Sequence, residues 1–349
     1  MSLPHIAPPL LGWYEQNRRI LPFRTLSTPY RVWVSEIMLQ QTRVSAALPY
    51  FERFMQELPT VADLAACDPE RLHKLWEGLG YYSRVRNLQK AAQIIMQDYG
   101  GELPGDYQAL LKLPGIGAYT AGAIASISFG LPVPAVDGNV LRVFSRLFAD
   151  DRDVTDPSVK KDMTALVMAL QPQDRPGDYN QALMELGALV CIPNGAPLCE
   201  HCPLASLCQA RQKGIQETLP VKAPKPEKKR QEKTVALVLC GERVLLEQRP
   251  KKGLLAGLWQ PVLLDGRLSA EETAAALTER GLVPDLTGPL PAARHVFTHI
   301  IWEMQGFAFS CPDGPAPEGC VWADREQVES VYTLPNAFKV YKKELEHMI

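Results

Sequence analysis

From the first residues to about residue 215, apolar positions recur at helical spacing. In the run Tyr30–Phe54, Val34, Ile37, Met38 and Val44 mark one helical face, because neighbours three and four apart share a side of the helix. Pro49 is expected to divide this run into two helices, since proline lacks the N–H that an interior helical position needs. Similar patterns predict helices over Arg71–Trp76, Arg84–Tyr99, Tyr107–Leu111, Thr120–Phe129, Asn139–Phe148, Ser158–Leu170 and Tyr179–Val190. Pro and Gly punctuate nearly every gap between them. From Thr234 the period shortens. Thr234–Leu239 and Arg243–Arg249 read as strands joined by a hairpin at Cys240-Gly241-Glu242. Leu258–Leu264 and His295–Phe309 read as further strands. Ala270–Arg280 reads as a helix with Ser269 as N-cap. The expected organisation is a helical domain over 1–215, a linker over 216–233 and a small α+β domain over 234–349. No internal repeat is visible.

Composition changes this picture little. The chain has 349 residues, 46% of them hydrophobic, with a net charge of −2. Such a balance excludes a disordered chain and a polybasic nucleic-acid coat protein, while leaving room for a local basic cleft. The first residues, MSLPHIAPPL, lack the basic and then apolar regions of a signal peptide. The uncharged stretch between Lys112 and Asp137 is interrupted by Pro114, Pro132 and Pro134 and does not read as a membrane span. A cytoplasmic, membrane-free, monomeric protein is expected. One segment stands apart. Lys222, Lys225, Lys228, Lys229, Arg230 and Lys233 face only Glu227 and Glu232 between Val221 and Lys233. Two prolines in this segment favour an extended linker, either a plain spacer or one lying along a polyanion.

Cys191, Cys199, Cys202 and Cys208 follow the spacing C-x7-C-x2-C-x5-C. Four thiols this close in a chain expected to be cytoplasmic read as a metal site. The spacing is uneven and has no paired C-x2-C knuckles, which favours a 4Fe–4S cluster over zinc. A structural staple is its default role. Cys67, Cys240, Cys311 and Cys320 have no partners at such spacing.

Leu113-Pro114-Gly115-Ile116-Gly117 lies between two helical patterns. Gly115 and Gly117 permit a tight turn whose backbone N–H groups, at a helix N-terminus, suit a phosphate. An ordinary helix–helix turn has the same appearance. Asp137, in Asp137-Gly138-Asn139, reads as an N-cap. Its charged form is expected to be held by the helix N-terminus, and it is expected to face a developing cation.

Together, Leu-Pro-Gly-Ile-Gly, Val-Asp-Gly-Asn-Val and the four cysteines resemble the helix–hairpin–helix DNA glycosylase superfamily. Trp33-Val34-Ser35-Glu36-Ile37-Met38-Leu39-Gln40-Gln41-Thr42 and Gly78-Leu79-Gly80-Tyr81-Tyr82-Ser83-Arg84 resemble signatures of its adenine DNA glycosylase branch. The resemblance extends over nearly the whole chain. It implies a mostly α catalytic region with an iron–sulfur loop and a small α+β Nudix-like domain. It also implies hydrolysis of the N-glycosidic bond of adenine mispaired with 8-oxoguanine or guanine in double-stranded DNA.

The departing base must be protonated and the sugar left cation-like, a division of labour between two carboxyls also met in glycoside hydrolysis. The resemblance makes Glu36, set among Val34, Ile37 and Met38, the general acid at adenine N7. Asp137 becomes the stabiliser of the cation. Tyr119 stands where relatives similar to endonuclease III carry a lysine, and a phenol forms no Schiff base; a monofunctional enzyme is expected. Carried over likewise are Arg19 and Arg24 near the base pocket, Gln41 as filler of the vacated stack, Tyr81 as a wedge beside the opposite base, and Thr298 and His299 at the lesion-reading loop. Gln181 occupies a position that is Gln or Glu in the family. Phe23 replaces the family's more usual Trp, and the first cysteine gap is one residue longer than usual. The Gly257–Gly281 region lacks the Arg-Glu-x-x-Glu-Glu core that would hold Mg²⁺ in a working pyrophosphohydrolase of the Nudix type. A pyrimidine-lesion glycosylase/lyase and a non-catalytic damage sensor are the competing readings.

Overall fold

The computed structural model describes residues 4–224 and 226–349. Met1–Leu3, and Lys225 of the expected linker, lie outside the described residues. The chain forms two compact units. One comprises the described residues up to Ala66 together with Arg86–Pro224; the other comprises Cys67–Val85 and the described residues beyond Lys225. A segment from the middle of the predicted helical domain thus groups with the C-terminal unit.

The first unit is helical. Helices α1 (Ala7–Asn17), α2 (Pro22–Thr25), α3 (Pro29–Leu39), α4 (Val44–Glu57) and α5 (Val61–Ala66) precede the interruption. α6 (Pro69–Leu75) belongs to the other unit, and α7 (Ser83–Asp98) starts at the boundary. Then follow α8 (Tyr107–Leu111), α9 (Ala118–Phe129), α10 (Gly138–Leu147), α11 (Pro157–Leu170), α12 (Pro176–Leu189) and α13 (Gln209–Gln212). The starts are written in the chain: Thr28, Asp106, Asp137 and Asp156 each cap the following helix through a side-chain oxygen, accepting N–H groups that otherwise lack partners. A core of Leu10, Tyr14, Phe144, Leu147, Tyr179, Leu183 and Leu186 joins α1, α10 and α12.

Pro49 does not divide the run Tyr30–Phe54 as expected. Pro49 lies inside α4, and the helix break falls earlier, at Gln40–Arg43, where Gln41 takes a left-handed φ of 59°. The proline is tolerated because burial of Ala47, Phe51, Phe54 and Met55 along one face outweighs a single missing hydrogen bond.

The second unit carries a six-stranded sheet in the order β4-β5-β1-β3-β2-β6. The strands are β1 (Lys229–Cys240), β2 (Arg243–Gln248), β3 (Trp259–Asp265), β4 (Asp285–Val296), β5 (Ile300–Ser310) and β6 (Cys320–Ala323). β1 and β5 run parallel, and the other pairings are antiparallel. Alternate residues of β1 serve two cores. Val235 and Leu237 pack with Phe338, Tyr341 and Leu345, the last two on α16 (Lys339–Met348). Ala236 and Val238 pack with Leu277 of α14 (Ala270–Glu279), which Ser269 starts with a capping box. A short α15 (Arg325–Ser330) lies between β6 and α16.

Two boundaries differ from the sequence expectation. β1 begins at Lys229, inside the predicted linker, and pairs with β5 from Lys229↔Ile300 onward. Its first residues are charged and lie outside the buried part of the sheet, so hydropathy conceals them. The predicted strand His295–Phe309 is interrupted by a tight turn, closed by Phe297 N–H donating to Ile300 O at 2.8 Å. No helix among the described residues is long and apolar enough to cross a membrane.

Candidate active site

In the helical unit, a cavity of about 370 Å³ opens between α2, α3, α9, the N-terminus of α10 and α12, within the size range of small-molecule sites. Glu36, Tyr119 and Asp137 all line it, as do Arg19, Phe23, Arg24 and Gln181. The chain brings them together through close backbone approaches. A Cβ on Gly122 of α9 would lie 2.1 Å from Pro134 O, and one on Gly187 of α12 would lie 2.6 Å from Asn139 Cβ. These glycines let the loop before Asp137 lie against α9, and Asn139 against α12.

Glu36 sits on the inner face of α3 and keeps only 8% of its accessible surface. Tyr119 Oη donates to Glu36 Oε2 at 2.5 Å. Burial pushes the Glu36 pKa up to about 7; the Tyr119 hydrogen bond opposes the rise, Asp137 adds to it, and Arg24 opposes it. Burial also holds the Tyr119 phenol far above its usual value, with the neighbouring carboxylates acting in the same direction. It therefore remains a donor.

Asp137 is the N-cap of α10. Its Oδ1 accepts from the backbone N–H of Asn139 and of Val140, both at 2.9 Å, and its Oδ2 accepts from Asn139 Nδ2 at 2.7 Å. Burial raises the Asp137 pKa, and these three donors oppose the rise without reversing it. The expectation from the helix N-terminus alone pointed the other way; desolvation is the larger effect here. Asn139 is held in turn by Arg142, whose Nη2 donates to Asn139 Oδ1 at 2.8 Å and whose Nε donates to Cys191 O at 2.8 Å.

Arg19 and Arg24 converge on Glu185 of α12, with approaches of 2.5 and 3.0 Å to its Oε1. Phe23 packs edge-on against Phe51, with ring centroids 5.5 Å apart. Sequence reasoning overlooked Glu185, Asn139, Arg142 and Met184. A signal existed: Gln181, Met184, Glu185 and Ala188 line the cavity at i, i+3, i+4 and i+7 of one helix.

The other predicted residues lie outside this cavity. Gln41 is exposed in the α3–α4 turn. Gly115 has φ +78° and Gly117 is the N-cap of α9 without a side-chain cap; the first amides of that helix are therefore not capped by a Gly117 side chain. In the other unit, Tyr81 is 48% exposed with φ 48°. Thr298 and His299 form the exposed tip of the β4–β5 turn. Lys228 Nζ donates to Phe297 O at 2.8 Å, beside that tip.

The four cysteines flank a loop sealed onto α10 and α12. Leu198 N–H donates to Val190 O, and Arg146 Nη1 donates to Cys191 Sγ at 3.2 Å and Ile192 O at 2.9 Å. Burial raises the thiols of Cys199, Cys202 and Cys208, and the neighbouring cysteines add to it, so the sulfurs lie within one another's electrostatic reach. Among the described residues no group of three or more His, Cys, Asp or Glu is arranged to hold a metal ion. The donor set itself, four thiols on one half-buried loop, fits a cluster spread over several irons.

Residues 34–168 match the family described as HhH-GPD superfamily base excision DNA repair protein, and 234–344 match the NUDIX domain. The adenine DNA glycosylase of Mus musculus is 36% identical over 97% of this chain and 77% of its own length. The chain belongs to the adenine DNA glycosylase family. As a family member it is a DNA glycosylase, a hydrolase of base excision repair, and DNA is its partner. Two solved structures share the helical fold. One is a thermostable thymine-DNA glycosylase, 28% identical with a TM-score of 0.53, covering 59% of this chain and 94% of its own. The other is endonuclease III in a non-covalent DNA complex, 26% identical with a TM-score of 0.50, covering 59% and 95%.

Proposed function

We propose that this glycosylase removes adenine paired with 8-oxoguanine or guanine, by simple hydrolysis, acting as a monomer on double-stranded DNA. The observation that carries the proposal is the asymmetry of two carboxyls lining one cavity. Among the described residues Glu36 accepts a single hydrogen bond, while Asp137 accepts three from N–H donors. A proton shared between them therefore resides on Glu36, because donors favour the ionised form of the group they reach.

Adenine must leave the stack to reach this cavity. Glu36 gives its proton to N7 as the N9–C1′ bond breaks, and the bonding electrons leave with the base. Asp137 faces the cation formed at C1′. Water adds to that carbon, and the Glu36 carboxylate accepts the water's proton, restoring the acid. Tyr119 holds Oε2 so that Oε1 addresses the base. No lysine lines the cavity among the described residues, which supports hydrolysis without a Schiff base.

Gln41, held outward by its left-handed backbone, fills the space left by the adenine, and Tyr81 wedges beside the opposite base. The turn with Gly115 and Gly117 offers amides to one phosphate without regard to sequence. Thr298 and His299 read the oxidised guanine. Cys191, Cys199, Cys202 and Cys208 hold a 4Fe–4S cluster, which when bound closes the loop after α12 and braces Arg142 and Arg146 through Cys191.

A duplex with one adenine opposite 8-oxoguanine tests the reading. Release of free adenine, leaving an intact strand with an abasic site, is the expected result. A borohydride-trapped imine with strand scission would establish a lyase, and binding without product a sensor. Glu36→Gln binds this duplex and releases no adenine; near-normal release would overturn the acid assignment.

A further inference from the structure

Glu185 is among the most deeply buried charged groups of the protein, with 1% of its side chain exposed. It lies on α12 in the wall of the same cavity as Glu36. Arg19 grips it from Nε at 2.9 Å to Oε2 and from Nη2 at 2.5 Å to Oε1, and its backbone N–H reaches Oε2 at 3.3 Å. Arg24 Nη2 adds a further contact at 3.0 Å to Oε1. A carboxylate so held remains ionised: although burial raises its pKa, the two guanidiniums bring it below the usual value. Two fixed positive charges thus share one fixed negative charge beside a group that has to stay neutral.

We propose that Glu185 is a positioning residue for the glycosylase reaction, whose carboxylate offsets the Arg19 and Arg24 charges so that Glu36 keeps its proton. The proposal rests on the reading of Glu36 as the acid. An uncompensated cation near a carboxyl favours the ionised form, and in a partly enclosed cavity its field is weakly screened. Arg24 already acts on Glu36 in that sense. Among the described residues, the charged and titratable groups that line the cavity with Glu36 are Tyr119 from α9, Asp137 at the start of α10, Arg24 from α2, Arg19 before it, Arg43 before α4, and Glu185 from α12; of these Tyr119, Asp137 and Arg24 act on Glu36 directly. Asp137 is the other anion of the cavity, and the three N–H donors commit it to the α10 N-terminus. Glu185 is therefore the anion that answers the two arginines. It also fixes their direction: gripped from one side, Arg19 and Arg24 cannot swing into the space the base occupies.

The test is the pH dependence of single-turnover adenine release by Glu185→Gln, with duplex affinity measured in parallel on the full protein. Loss of the carboxylate moves the alkaline limb of the profile to lower pH by about one unit. Release at pH 7.5 falls about tenfold and recovers most of this at pH 6, while affinity for the duplex is unchanged or tighter. The double variant Arg19→Gln/Glu185→Gln removes one of the two freed charges and returns the limb toward its original position. A merely structural role would lower the whole profile without moving the limb. That result, or a limb that moves to higher pH, overturns the proposal. Glu36→Gln is run alongside. If it releases adenine at a near-normal rate, the acid assignment itself fails; if it is inactive while the Glu185→Gln limb stays fixed, only the role given to Glu185 fails.

Discussion

A buried carboxyl that keeps its proton near neutral pH has a cost in stability that can be measured apart from activity. In the unfolded chain Glu36 titrates near its ordinary value of 4.5; in the fold burial lifts it to about 7. Below pH 4.5 both states are protonated and the group is without effect. Between these values the folded state retains a proton that the unfolded state has lost, so stability falls as pH rises. Above pH 7 the penalty is complete. At about 1.4 kcal/mol per pH unit, the separation of the two values amounts to about 3 kcal/mol. Glu36→Gln removes the titration while keeping an acceptor for Tyr119. Its stability relative to the parent should therefore improve by about 3 kcal/mol between pH 4.5 and pH 8. Urea unfolding of both proteins at a series of pH values, followed by circular dichroism with the metal content held equal, gives the difference directly. A difference that is constant with pH, or that moves against the variant as pH rises, would refute the buried neutral acid.

Other consequences concern the neighbours. Tyr119→Phe removes the hydrogen bond that favours the ionised form of Glu36, so the alkaline limb of the pH–rate profile should move to higher pH by about one unit, with a lower maximum because Oε1 is no longer aimed; an unmoved limb contradicts the contact. Asn139→Ala takes one of three donors from Asp137 and removes one of the acceptors of Arg142, which keeps Cys191 O and Gly187 O. Asp137 then titrates higher and the acid limb should move up in pH, whereas an acid limb that stays put would divorce Asn139 from the reaction. Gly115→Ala places a methyl group 2.8 Å from Asn87 Cβ at a φ of +78°, which should destabilise the turn by about 2 kcal/mol. Fluorescence anisotropy should show affinity falling by the same factor for damaged and undamaged duplexes, and a loss confined to the lesion would argue against phosphate binding.

How far the chain could be read beforehand depended on whether each residue's task was local. Asp137-Gly138-Asn139 announces an N-cap because the cap and its N–H donors lie within three residues. The same holds for Ser269 and its capping box. The strand runs of β2 and β3 were visible because each is a short apolar run, buried on both faces of the sheet and bounded by turn residues. Glu185 was not singled out, since a Glu four residues after Gln181 on a helix reads as a solvated face until the partners Arg19 and Arg24, more than 160 positions away, are in view. Pro49 misled because its rule is a single-residue preference overridden by the burial of Phe51 and Phe54. The grouping of Cys67–Val85 with the C-terminal unit depends on contacts such as Trp259 Nε1 donating to Glu70 Oε2 at 3.1 Å, and no periodicity records those. The start of β1 escaped because its basic residues resemble a linker until β5 pairs with them.

The proposed reaction needs a protonated Glu36 and an ionised Asp137 at one extruded adenine. The pH dependence of single-turnover adenine release from a duplex with adenine opposite 8-oxoguanine tests it most directly. A bell is expected: release fails at low pH as Asp137 takes up a proton, and declines through about pH 7 as Glu36 loses its own. A rate that is flat from pH 5 to about pH 9, or that rises through pH 7, would contradict it.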